Sequence, residues 1–543
     1  METTSRRQGS SNRSITKQEI RCNTSDGTDY ISYLPSEVLL HIFYFLPLKY
    51  WVIMSLVSKQ WKYLWTQISI LNLDEDELVT NMIRKTIPCP SCSMFPNHHS
   101  RYQRLQHALH AARRQFAAMV NRILLFHSGC TIQNFRLACR HGTQDAYAPM
   151  VDKWVQFCMT SNIIELEFNF SSGMPQSYYN RDGLVVRRNT YFQPYAFPRH
   201  AFEPKILKIL TLYFCKFEAS SFGAFRSLQR LSLIHVEILD CSIGDLVSKC
   251  STLEDLSMKH CFQPDKFFIC AQELKIKSFC LIHCMTENWA KFPIDITTPD
   301  LLTLTIVGSY LMSTSVKRAT KLLNVKVDIA QGFEDHAQGN FLASLLLDLY
   351  HCPKIALSSC CLQVLPIGDG LRRLMQLPLQ NLKHIRLRLR SVKEELPGIS
   401  CLLRSSPKLE RLYLDVDMPL EVEWDAYLDM IPHVFEFEAQ SYWESQSEPP
   451  IPCLQNCLKK VNIYGFTGKS IEMEMIKFLL ENAIVLEKLN VYYYGLHPAA
   501  SGQQHLNYKW VQFRNLVSLM TLPKARSQAR VKMSRLRDAV ILC

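Results

Sequence analysis

Two patterns of apolar residues run along this 543-residue chain, and they predict different elements. The first is dense and local. Residues 38–46 read VLLHIFYFL, in which Val38, Leu39, Leu40, Ile42, Phe43, Tyr44, Phe45 and Leu46 are all large and apolar. On a helix these positions cover nearly the whole circumference, where an ordinary surface helix shows one stripe. Pro35 stands where a helix can start and Pro47 where one must stop, so a short helix is expected between them. A second run, LKYWVIMSLVSKQWKYLW, follows directly and predicts another. Each half is shorter than the ~20 apolar residues of a membrane span. Two packed helices are therefore expected and no membrane segment. A unit of about 45 residues is marginal alone, so its surplus of apolar surface predicts an obligate interface.

The second pattern is sparse and repeated. L-x-x-L-x-L, with other aliphatics or Phe allowed, occurs as LKILTL (207–212), LQRLSL (228–233), LEDLSM (253–258), LLTLTI (301–306), LLNVKV (322–327), LKHIRL (382–387) and LERLYL (409–414). Weaker copies are IQNFRL (132–137), IIELEF (163–168), LKIKSF (274–279) and CPKIAL (352–357); LKKVNI (458–463) and LEKLNV (486–491) continue the series. From residue 207 to residue 301 the starts lie 21, 25, 21 and 27 residues apart, within the 20–29 range of leucine-rich repeats. Each copy supplies one short strand whose alternate side chains point inward. One such unit cannot bury its own leucines, whereas stacked units share a continuous core. The intervals after residues 163 and 409 exceed one repeat and predict insertions.

Composition changes this picture little. Hydrophobic content of 47% and charged content of 20% describe folded protein. The first 30 residues are polar and lack an apolar signal core, so no secretory peptide is expected. Twenty scattered cysteines then read as reduced thiols of the cytoplasm or nucleus. The net charge of +12 is concentrated in the N-terminal arm, the 101–122 segment and the tail from Lys524 to Arg537. It forms no continuous basic run, so it reads as solvated surface and nucleic acid is not expected as a partner.

The opening motif resembles an F-box. The pattern L-P-x-E…I-x-x-x-L-P…V-S-K-x-W-x-x-L-W is matched by Leu34, Pro35, Glu37, Ile42, Leu46, Pro47, Val57, Ser58, Lys59, Trp61, Leu64 and Trp65. Within that family the chain is similar to the plant group that follows the F-box with leucine-rich repeats and a C-terminal FBD domain. FHSGCTIQNFRLAC (126–139) and VDKWVQFCMTSNIIELEF (151–168) look like that group's first repeat, and residues 458–493 like its FBD core. The resemblance implies a small all-α helical F-box followed by an irregular α/β leucine-rich-repeat solenoid with an FBD cap. The expected boundaries are a flexible arm at 1–26, the F-box at 27–75, a connector with a basic helix at 76–125, repeats at 126–450 and an FBD-like region at 451–543.

The same resemblance implies a function: substrate recognition in an SCF-type E3 ubiquitin ligase. A Skp-type adaptor would dock on the F-box and lead to cullin and RING subunits, while the repeats hold an unknown protein substrate. The chemistry would then belong to other subunits, with no catalytic residue, metal or cofactor in this chain. By carry-over, Leu34, Pro35, Leu39, Ile42, Leu46, Trp61 and Leu64 form the adaptor face or the packing that shapes it. The alternative is a repeat scaffold or decoy outside any ligase.

For the substrate, residues between and after the core leucines point away from the core. They define a search area of Tyr213, Lys259, Arg386, Arg388, Tyr413 and Asp415. Alternating Arg386 and Arg388 beside Tyr413 could read a carboxylate or phosphate; solvated charge is the bland alternative. Two further motifs are set aside. CPSC at 89–92 with His98 and His99 is a zinc half-site with spacing too short for paired ligand motifs. GFTGKS at 465–470 lacks the first glycine of a phosphate loop, that place being Ile463.

Overall fold

The computed structural model describes residues 34–46, 50, 61, 64–77, 79–80, 98–127, 131–140, 148–171, 194–198, 202–218, 223, 225–239, 243–263, 268–269, 275–286, 294–296, 298–308, 314–316, 319–329, 336–367, 369–417, 439–445, 449–494, 514–515, 517–525 and 529–536. The chain divides into two compact units, residues 1–68 and 69–543. In the first, helix α1 (Ser36–Phe45) is followed by a 3₁₀ turn at Leu64–Gln67. Apart from Tyr50 and Trp61, the rest of the second expected helix lies outside the described residues, as do the N-terminal arm, CPSC and much of the two long insertions.

The second unit is built on one 15-stranded, all-parallel sheet in which order in space follows order in the chain. The strands are β1 (Ile70–Asp74), β2 (Ile132–Ala138), β3 (Ile163–Asn169), β4 (Ile209–Tyr213), β5 (Arg230–Ile234), β6 (Asp255–Lys259), β7 (Ser278–Ile282), β8 (Thr303–Gly308), β9 (Asn324–Ile329), β10 (Lys354–Leu357), β11 (His384–Leu389), β12 (Arg411–Val416), β13 (Lys460–Tyr464), β14 (Lys488–Tyr494) and β15 (Arg530–Leu536). Every L-x-x-L-x-L copy quoted above ends in one of them. Register aligns two buried rows, Leu210, Leu231, Leu256 and Phe279 in one and Leu212, Leu233, Met258 and Leu281 in the next; this moves the copy read at 274–279 two residues on, to Ile276, Phe279 and Leu281. Burying one such side chain contributes about 1.5–3 kcal/mol, and no strand could gain that alone. Strands β1 and β15 extend the array at both ends. Residues 70–74, grouped with the F-box segment on sequence, alternate as ILNLD and enter the sheet beside β2.

The other layer changes along the array. From β4 to β7 each strand turns a tight corner at a non-glycine residue of positive φ: Phe214, His235, His260 and His283, at 47–53°. Each corner amide donates to a carbonyl one strand on, at 2.6–3.0 Å, which holds the strained turn. A short parallel strand follows each corner, from Cys215–Phe217 to Met285–Thr286, and with Tyr195–Ala196 these form a second sheet of five strands. Beyond β9, helices take over: α2 (His336–Asp348), α3 (Ser359–Val364), α4 (Gly370–Gln376), α5 (Leu396–Ser405), α6 (Ala439–Ser445), α7 (Pro452–Asn456) and α8 (Ser470–Asn482). Among the described residues, this exchange of short strands for helices accounts for part of the irregular repeat spacing.

Residues 98–126, expected as part of a basic connector, form one long helix packed against helix 148–160. Its buried stripe includes Ala112, Phe116, Val120 and Ile123, with Phe116 edge-on to Trp154 at 6.2 Å. Arg113 is no surface cation: it meets buried Glu75 at 2.9 Å, and Glu75 also accepts the Arg140 amide at 2.7 Å.

Candidate protein-binding surfaces

Helix α1 starts at Pro35, whose carbonyl accepts the amides of Val38 and Leu39 at 3.0 and 3.1 Å. Its apolar circumference divides into two sides. Leu39 and Phe43, one turn apart, are fully buried, and Phe43 stands edge-on to Trp61 at 5.5 Å. Leu64, Trp65 and Ile68 are buried in the same unit. On the other side Val38 is 43% and Phe45 69% exposed, and Tyr50 beyond the helix is 42% exposed. Of the residues expected at an adaptor face, Pro35 is exposed, Leu34, Ile42 and Leu46 are half-buried, and Leu39, Trp61 and Leu64 lie inside. The spacing Val38–Ile42–Phe45 was visible in the sequence. What concealed Phe45 was its place in an unbroken apolar run.

On the sheet, alternate residues of each strand form open rows beside the buried ones. Tyr213 and Lys259 lie in one such row on β4 and β6, and Arg388 lies in the continuation of that row on β11. Five strand steps of ~4.8 Å separate Lys259 from Arg388, so the substrate search area falls into two places. Arg386, Arg388, Tyr413 and Asp415 do come together, on β11 and β12.

Their arrangement is self-satisfied. Arg386 bonds both oxygens of Asp415, and Arg388 bonds Asp417 at 2.8 Å with Asp328 3.9 Å away. The hydrogen bond to Asp415 holds the Arg386 guanidinium above its ordinary pKa, against partial burial. Arg386 also sits 6.0 Å above the ring of Tyr464, which stacks on Tyr492 at 4.8 Å. Both arginines therefore serve the sheet itself, and an incoming carboxylate would have to displace an aspartate.

GFTGKS is explained by its interior. Gly465 and Gly468 take positive φ, 77° and 85°. The loop's amides at Thr467 and Gly468 are taken by the chain's own Glu472, at 2.9 and 3.0 Å. Among the described residues no cluster of His, Cys, Asp and Glu could hold a metal ion, and no helix is long and apolar enough to cross a membrane.

A small helical unit with an open apolar side, followed by a stacked parallel sheet, defines the class of F-box proteins with leucine-rich repeats. The F-box domain model matches residues 31–73, and the model described as At1g61320/AtMIF1, LRR domain, matches residues 123–504. The chain belongs to that leucine-rich-repeat family and carries an F-box ahead of it. Among its relatives is a putative F-box/LRR-repeat protein of Arabidopsis thaliana, At5g54820, 24% identical over 86% of this chain and 91% of its own length. A putative F-box/FBD/LRR-repeat protein of the same plant, At4g03220, is 27% identical over 57% of this chain and 67% of its own.

Proposed function

We propose that this chain is the substrate-recognition subunit of an SCF-type E3 ubiquitin ligase, non-catalytic in itself. The observation that carries the reading is the open side of α1, where Val38 and Phe45 remain exposed in a unit matched by the F-box model. Exposed large apolar groups set around a buried core are what a partner helix would cover. In this reading residues 27–75 dock a Skp-type adaptor and, through it, cullin and RING subunits. The sheet of residues 126–450 then holds the target, and the FBD-like residues 451–543 close the array. Proximity is the contribution: target lysines are kept near a charged conjugating enzyme at high effective concentration. The free thiols along the solenoid, mostly buried, suit a cytoplasmic or nuclear setting.

Affinity capture of the full chain from plant cells tests this. Adaptor and cullin should co-purify, and Leu34→Ala with Pro35→Ala should lose both. Capture of the adaptor without cullin would favour a decoy; capture of neither would overturn the reading.

A further inference from the structure

The open row one step before the leucine pairs behaves differently in the two halves of the sheet. In the N-terminal half this row mixes signs: Arg230 faces Asp255 in register and bonds it at 3.1 Å, and Glu165 accepts a hydrogen bond from Asn134 at 2.9 Å. In the C-terminal half the register places Lys354, His384, Arg411, Lys460, Lys488 and Arg530 side by side on β10 to β15. No acid interrupts them. Among the described residues, none of the five lysines and arginines forms an ion pair, although Arg386 and Arg388 on the same strands are fully paired. Glu410 and Glu487 each precede a member of the row in sequence, and Glu410 is engaged by Lys383 at 3.7 Å. Burial and the charges of Arg411 and Lys354 push the His384 pKa down, so its ring adds no positive charge at neutral pH.

Like charges directly opposed on neighbouring strands destabilise a sheet. Arg230 and Arg386 each bond an acid on the next strand, whereas the five cations of this row face none in register. We infer that this row docks an acidic, extended segment of a protein. The inference rests on the reading of the sheet as the substrate-binding part, and names the substrate's chemistry. Six strands at ~4.8 Å make a row about 24 Å long, the reach of roughly seven extended residues. The flanking aromatics favour protein over nucleic acid. Tyr464 and Tyr492 stack on each other with rings 4° from parallel, and Arg386 lies over Tyr464, so these faces are already engaged and offer no free platform for bases.

The test is fluorescence anisotropy on the full chain with labelled heptaglutamate, beside a labelled seven-residue oligothymidylate. The heptaglutamate binds, more weakly as salt rises. Lys460→Gln with Lys488→Gln lowers its affinity about tenfold or more, while Lys205→Gln with Lys208→Gln, far along the sheet, leaves it unchanged. The thermal midpoint of the first pair is unchanged or raised, because repulsion is relieved. Should that pair unfold, Arg411→Gln and Arg530→Gln, made singly, must each weaken binding. Heptaglutamate affinity indifferent to these substitutions would overturn the inference, as would tighter binding of the oligonucleotide lost in the same variants. Adaptor capture on the same preparation separates the two readings. Capture retained with indifferent peptide binding overturns this inference alone. Peptide binding lost in the variant, with no adaptor captured by wild type, supports this surface and overturns the receptor reading.

Discussion

The hydroxyl of Ser391 donates a 2.7 Å hydrogen bond to Glu472 Oε1 and joins a loop to a helix 81 residues further along the chain. Ser391 sits at φ 60° just after β11, and Glu472 lies one turn into α8. The same buried carboxylate takes the amides of Thr467 and Gly468 and the Thr467 hydroxyl. Nearby, buried Glu395 accepts the amides of Arg390 and Val392 at 2.8 and 3.2 Å. The phosphate-loop look of GFTGKS is thus the signature of a loop folded around an internal anion.

Glu472→Ala should therefore unfold the C-terminal strands early. Leaving a buried donor unsatisfied costs about 1–3 kcal/mol, and four donors lose their acceptor together. A denaturant melt should show loss of several kcal/mol. Ser391→Ala, which removes one donor and leaves Glu472 its other three, should cost about 1 kcal/mol. Equal effects from the two would contradict the network.

The stacked histidines make acid stability legible. His235 and His260 lie 4.7 Å apart, His260 and His283 5.3 Å, all nearly parallel. Burial lowers His235 from 6.5 to about 4; burial, then the neighbouring histidines and Lys259, lowers His260 to about 3. Folded pKa values below the unfolded one mean that the unfolded chain binds protons first as pH falls. Stability from these groups is complete above pH ~6.5 and is lost progressively toward their folded values, at about 1.4 kcal/mol per pH unit per proton. Thermal midpoints should decline between pH 6.5 and 4.5. His260→Phe, which copies Phe214 at the equivalent corner, should flatten that slope. An unchanged slope in the variant would count against the ladder.

A Cβ on Gly398 would meet the backbone carbonyl of Leu362 at 2.1 Å, where α5 crosses α3. Backbone cannot yield, so Gly398→Ala should cost about 1–3 kcal/mol of strain. Gly223→Ala meets the flexible, exposed Glu203 side chain and should cost much less. Comparable midpoints for the two variants would contradict this crossing.

Much of the solenoid could be read from the chain because its signal is repeated: each L-x-x-L-x-L copy says little, and their spacing says a stack. Strand β15 was not legible, since RVKMSRL offers only Val531 and Met533 as alternating apolar residues amid basic ones. Pairing with β14 along its whole length supplies what the motif lacks. For the sites, sequence could name apolar residues of α1 but not divide Phe43 from Phe45, because the division depends on where Trp61 packs. It placed Arg386, Arg388 and Asp415 in one search area but could not show that Asp415 and Asp417 occupy the two arginines from the next strand. The basic row was invisible for the opposite reason: its members are up to 176 residues apart, from Lys354 to Arg530, and only register aligns them.

Whether α1 is the docking face is decided by binding of the full chain to a purified Skp-type adaptor, measured for wild type and Phe45→Asp. Wild type should form a one-to-one complex, and the exposed substitution should weaken it by about 2 kcal/mol or more, as expected of a central apolar anchor, without lowering the thermal midpoint. A wild-type chain that ignores the adaptor, or a Phe45→Asp variant that binds it equally well, would contradict the account.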